Sequence, residues 1–213
     1  MQQRGVLCAA AARRGLTAPR QRRLCPTQAD EDKKTKEYDE VPVTMHTLKE
    51  LYVFKLNQLI SFERSTLNLT HELVKGAQYP EVKEALQRHE SIVATQISHL
   101  EECVRRAGGQ VTTVANYTVE GMLKEVGEFR GQNPSVDAFD LYRLGTLIRL
   151  GFLKVGAYRV LSRFARAMGE QTCYESLEGD LRDIEDRARM AVDTLSEVAQ
   201  QVGGGRGPSM GMR

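Results

Sequence analysis

The chain has 213 residues, 41% hydrophobic and 27% charged, and its 30 basic and 28 acidic side chains leave a formal charge of +2. These values suit one water-soluble domain with tails and exclude collagen-like, mucin-like and wholly disordered chains. No stretch approaches the run of about 18 apolar residues that a membrane-spanning helix needs, so no membrane association is expected. The four cysteines, Cys8, Cys25, Cys103 and Cys173, show neither CxxC nor Cys/His spacing. That argues against a zinc knuckle and a disulfide scaffold, and makes a reducing compartment the default.

Residues 1–43 read as an extension. Arg4, Arg13, Arg14, Arg20, Arg22 and Arg23 all precede the first acidic residue, Asp30. An arginine-rich, acid-free start is compatible with a mitochondrial or plastid transit peptide. The lack of serine before Asp30 points the other way, to a disordered Ala/Arg extension or an upstream start codon. The expected compartment is therefore the cytoplasm for a bacterial chain, or the mitochondrion or plastid if the leader is functional. Asp30 to Glu40 reads as a solvated linker, and residues 203–213 as a flexible Gly-rich tail.

Residues 44–202 carry four long helical patterns. Thr47-Leu-Lys-Glu50 is a capping box, in which Thr47 accepts from the backbone N–H three residues on while Glu50 reaches back. The first helix should run from there to Lys75 and stop at Gly76. Pro80 suits the first turn of a second helix, which continues to Arg106 before Gly108-Gly109. A short helix is predicted from Thr118, as N-cap, to Phe129. After Asn133-Pro134-Ser135 a third long helix spans Val136–Met168, and a fourth spans Gln171–Val202. No period-two alternation is long enough for a strand.

At 100° per residue each long helix shows one apolar stripe. The stripes include Leu56, Leu59, Leu67, Leu73 and Val74 in the first helix and Val82, Leu86, Val93, Ile97, Leu100 and Val104 in the second. Leu147, Leu150, Leu161, Phe164 and Met168 mark the third; Leu177, Leu181, Ile184, Ala188, Ala191, Leu195 and Val198 mark the fourth. Helices of about 45 Å (1.5 Å per residue) can bury such stripes only against one another. The expected fold is an all-α antiparallel four-helix bundle, with the long link between the second and third helices as a crossover containing the short helix.

Several segments resemble one known family. Thr47-Leu-Lys-Glu-Leu-Tyr through Phe62-Glu63-Arg64 resembles the opening helix of the YciE/YciF-type ferritin-like stress proteins. Val119-Glu120-Gly121-Met122-Leu123-Lys124-Glu125 resembles its crossover helix. His89, Gln96, Ile97 and Leu100 keep the spacing of its second helix, and Gly156-Ala157-Tyr158 resembles a step of its third. The resemblance covers residues 44 to 200. It implies a ferritin-like dimetal bundle, with inward glutamates on the first and third helices and carboxylates with partner ligands on the second and fourth. By the same analogy it implies a homodimer.

Residue by residue, this chain departs from that pattern. Glu63 lies in the first helix's stripe at the position of the family's glutamate. His89 and Gln96 lie in the second helix's stripe, but Ile92 stands where the family has a ligand glutamate, and Glu90 points about 160° from Ile92 at 100° per residue. From Leu141 to Gly169 there is no aspartate or glutamate at all. Asp180 borders the fourth helix's stripe, while Glu178 and Glu185 lie off its centre. Lys154 occupies the third helix's inward face. Two arrangements follow: Lys154 replaces the metal charge and pairs with Glu63, with or without Asp180; or Lys154 reaches solvent and Glu63 bonds to Tyr52, His89 or Gln96.

Other chemistries find little support. Of His46, His71, His89 and His99 only His89 sits squarely on an inward stripe, where a network role is commoner than metal ligation. Cys103 and Cys173 read as buried small hydrophobes. No phosphate-cradling or Ser/His/Asp motif is present. Arg149, Arg159, Arg163 and Arg166 share the third helix's outer face. Sparse aromatics there disfavour nucleic acid, and pairing with Asp183 and Asp186 is the simpler expectation.

The sequence thus predicts a non-catalytic ferritin-like bundle with a structural, binding or stress-related role, no catalytic residue and no resident cofactor. The competing reading is a dimetal iron or manganese ferroxidase, or a peroxide-handling protein, with an atypical site at Glu63, His89, Gln96 and Asp180. A third is an accessory subunit of an organelle assembly, with a protein partner.

Overall fold

The computed structural model describes residues 45–204. The arginine-rich extension, the charged linker and most of the Gly-rich tail lie outside the described residues. Five helices follow in order: α1 Leu48–Val74, α2 Pro80–Arg106, α3 Tyr117–Gly131, α4 Val136–Ala167 and α5 Gln171–Gly203. No strand occurs among the described residues.

The start and stop signals act as their chemistry dictates. Thr47 and Glu50 form the reciprocal capping box at α1, and Ser135 Oγ accepts from the Ala138 N–H at the start of α4. Gly76, Gly108 and Gly169 hold φ of 75°, 68° and 75° directly after α1, α2 and α4, the left-handed conformation that glycine reaches most readily. The short helix corrects one expectation. Its N-cap is Asn116, whose Oδ1 accepts from the Val119 N–H at 3.3 Å, and Thr118 lies inside the first turn. Asparagine accepts with a longer reach and favours the cap at least as strongly as threonine.

The four long helices pack through the predicted stripes, with α3 laid against α1. That placement explains a second difference. Leu69 is fully buried and Leu67 only partly so, because α1 is covered by the crossover as well as by its bundle partners. Leu69 joins Val119, Met122 and Val126 in one core cluster.

Buried polar side chains fasten the connections. Asn57 on α1 donates through Nδ2 to Gln110 O at 3.0 Å and accepts from the Thr112 N–H at 2.9 Å. Ser61 Oγ accepts from the Val114 N–H at 2.9 Å, so the extended start of the crossover borrows hydrogen bonds from α1. At the other end, Asp140 Oδ2 accepts from the N–H groups of Gln78 and Tyr79 at 2.8 and 2.9 Å. Arg143, stacked 3.8 Å from the Phe139 ring centroid, donates to Asp140 and to Lys75 O. The turn between α1 and α2 is thereby tied to α4.

The apolar core is divided. One cluster holds Tyr52, Leu56, Leu100, Leu161 and Leu177; the other holds Leu73, Val82, Leu86, Leu144 and Val198. Glu63, Gln96 and Lys154 are buried polar residues that belong to neither.

Candidate functional site

The polar layer is built by three helices. Lys154 on α4 is 1% exposed and Glu63 on α1 is fully buried. The Lys154 Nζ stands 2.8 Å from Glu63 Oε2 and donates to Gln96 Oε1 on α2 at 2.7 Å. The ammonium is therefore shared between a carboxylate and an amide oxygen and does not reach solvent. Neither Glu63 oxygen receives a well-aligned hydrogen bond, so its link to Lys154 is chiefly Coulombic attraction at contact distance. Burial drives the Glu63 carboxyl above its ordinary range, with Lys154 pulling against it. Tyr158 lies beside this carboxylate, and burial together with the Glu63 charge raises its phenol well above the usual value.

Of the two arrangements open from the sequence, the geometry is that of the Glu63–Lys154 pair. Glu63 bonds to none of Tyr52, His89 or Gln96: the Tyr52 hydroxyl and His89 Nε2 are buried without partners, and Gln96 serves Lys154. Asp180 departs from expectation. It is 5% exposed, but its partner is His99, whose Nδ1 lies 3.0 and 3.1 Å from the two carboxylate oxygens. Burial raises the Asp180 carboxyl and His99 opposes the rise. His99 sits at the edge of the α2 stripe, so a wheel plot of backbone directions leaves out its reach across to α5. Its imidazole is long enough to meet the carboxylate from a half-exposed position.

Glu90 faces away from the layer, as its angle requires, and pairs with His71 at 2.9 Å. Two of the four arginines on the outer face of α4 find acidic partners, and these are not Asp183 or Asp186. Arg159 meets Glu185 on α5, Arg149 meets Glu125 on α3, and Arg166 lies over the Tyr174 ring. Asp186 is taken by Arg189 one turn along its own helix. Cys103 and Cys173 are both buried in one apolar cluster beside Tyr52, and burial raises the Cys103 thiol above its ordinary value. Such a thiol is a poor nucleophile.

A ferritin-like bundle implies a dimetal centre at this level, and the side chains present do not suit one. A pair of hard cations needs several oxygen donors, whereas Lys154 brings three N–H donors, a positive charge and no lone pair while protonated. It also occupies the amide oxygen of Gln96. Among the described residues no three His, Cys, Asp or Glu side chains lie close enough to hold one ion. No helix among them is long and apolar enough to cross a membrane.

Helix order, a crossover lying against α1 and a polar layer across the core define an all-α bundle of the ferritin-like class. Residues 47–203 match a family described as a domain of unknown function, DUF892, and the chain belongs to that family. Solved structures share the fold. The Escherichia coli stress protein YciF is 14% identical, with a TM-score of 0.69 over 74% of this chain and 99% of that one. YcfI of Rhodopseudomonas palustris, described as a proposed structural protein, is 16% identical, with a TM-score of 0.66 over 71% of this chain and 96% of that one. A protein of Xanthomonas campestris pv. campestris is 16% identical, with a TM-score of 0.58 over 74% and 97%. None of the curated proteins matches the chain.

Proposed function

We propose that this chain is a non-catalytic member of its family, in which the Lys154 ammonium supplies the positive charge that a metal centre would otherwise place beside Glu63. The observation that carries this reading is the 2.8 Å contact between Lys154 Nζ and Glu63 Oε2 in a fully buried position. A buried carboxylate without a counter-charge costs several kcal/mol, and a buried lysine likewise, whereas the two together are tolerable. Gln96 completes the arrangement by accepting an N–H of the ammonium.

The role that remains is structural or binding, in keeping with the stress and structural descriptions of YciF and YcfI. We take the working form to be a homodimer. Leu153 and Val160, two turns apart on one face of α4, are 44% and 45% exposed, an apolar strip that a second subunit would cover. Light scattering coupled to gel filtration should give twice the chain mass.

Metal analysis separates this reading from a dimetal oxidoreductase with an atypical site at Glu63, His89, Gln96 and Asp180. Protein purified from iron- and manganese-supplemented medium should carry well under one metal per chain. Near-stoichiometric iron or manganese that disappears in Glu63→Ala would reverse the conclusion.

A further inference from the structure

A second feature lies beside Lys154, where α2, α4 and α5 meet. A cavity of about 30 Å³ is lined there by Ala85, His89, Gly151, Lys154, Arg187 and Ala188, among others. It exists because each helix offers a small residue. A Cβ on Gly151 would stand only 3.0 Å from the Ala188 Cβ, so α4 and α5 touch at the wall and no side chain from Gly151 fills the space. The volume exceeds the roughly 10–15 Å³ that a cavity needs to admit one water, leaving room for a single small ion.

The polar groups at the cavity are donors or cations. His89 is 7% exposed, and its Nε2 is buried with no hydrogen-bond partner. Lys154 has three N–H groups, of which Gln96 Oε1 accepts one, while Glu63 Oε2 stands 2.8 Å from the Nζ. Arg187 gives one N–H to Arg88 O at 2.8 Å and makes no ion pair among the described residues. The charge of neighbouring Arg88 is met by Glu84 at 2.7 Å. One positive charge therefore remains uncompensated at a space that holds an orphaned buried nitrogen.

We infer that this cavity binds one small monovalent anion, of chloride size, held by the Lys154 ammonium, a His89 Nε2–H and the Arg187 guanidinium. Lys154 is shared with the reading above, and the inference rests on that reading only in needing the residue charged. Water alone would satisfy His89 but leave the arginine's charge unopposed in a partly dry site. The surroundings of His89 point the same way. After burial, the charges of Lys154 and Arg187 are what hold its imidazole neutral, as expected where the local potential is positive.

Chloride-35 NMR line broadening on the full chain tests this, with ionic strength held constant by gluconate, an anion too bulky for the space. Excess linewidth should appear with wild-type protein and be displaced by bromide. It should fall by at least about threefold in Arg187→Gln, which leaves the Glu63–Lys154 pair untouched. Ala85→Val, which fills the space without altering charge, should act similarly if it folds by circular dichroism. No excess broadening with wild type, or broadening that persists in Arg187→Gln, overturns the inference. Neither result bears on the metal content that tests the preceding reading.

Discussion

His89 illustrates what burial does to a single side chain. Its ordinary value of 6.5 is pushed down to about 3, first by burial and then by Lys154 and Arg187. The native imidazole thus stays neutral at pH values where the unfolded one binds a proton. The stability this contributes is fully present above pH 6.5 and is lost as the pH falls toward 3. In urea titrations, wild type should weaken through this window by up to about 1.4 kcal/mol per pH unit from this residue. His89→Gln should show a shallower acid limb, and an identical limb would mean the imidazole is not held neutral. Position was legible from the stripe at this scale, while partners were not. Glu63, His89, Gln96, Lys154 and Asp180 are all buried as their angles imply, yet the Asp180–His99 contact depends on side-chain reach, which backbone angles do not contain.

At the level of elements, helix ends were the most readable feature, because caps and glycines act locally. The connections were not, since their fastenings join residues far apart in sequence. Asn57 and Ser61 on α1 bond to Gln110, Thr112 and Val114, more than fifty residues on, which no local pattern signals. Asp140 and Arg143, one turn apart at the start of α4, form a pair that spacing alone could have suggested. Their bonds to Lys75, Gln78 and Tyr79 could not be foreseen. Asp140→Ala removes the acceptor of the Gln78 N–H and of the buried Tyr79 N–H and the counter-charge of the buried Arg143, and should cost about 3 kcal/mol or more in urea unfolding. A loss under 1 kcal/mol, on the scale of an exposed pair, would show that Asp140 is not the fastening. Gly109 offers a steric test. A Cβ there would stand 2.6 Å from Val53 Cγ1, so Gly109→Ala should cost about 1–3 kcal/mol and be largely rescued by Val53→Ala. Failure of the rescue would place the strain elsewhere.

On the scale of the whole molecule, the bundle consists of two apolar clusters with a polar layer between them. The four stripes and the crossover specified that architecture, because long amphipathic helices have few ways to bury one face each. The carboxylate-free run from Leu141 to Gly169 was the most informative stretch. It removed an expected ligand from the layer and left Lys154 facing it. What no stripe could supply was depth, and depth decides whether a lysine spans outward or pairs inside. The pair's central place can be tested by a double-mutant cycle in urea, using Glu63→Leu, Lys154→Met and the double variant, each with and without chelator. Each single change should cost about 3–5 kcal/mol by leaving a buried charge alone, and the double should cost far less than their sum. Additive costs, or a wild-type midpoint that falls when chelator is added, would contradict an ammonium standing in for a metal.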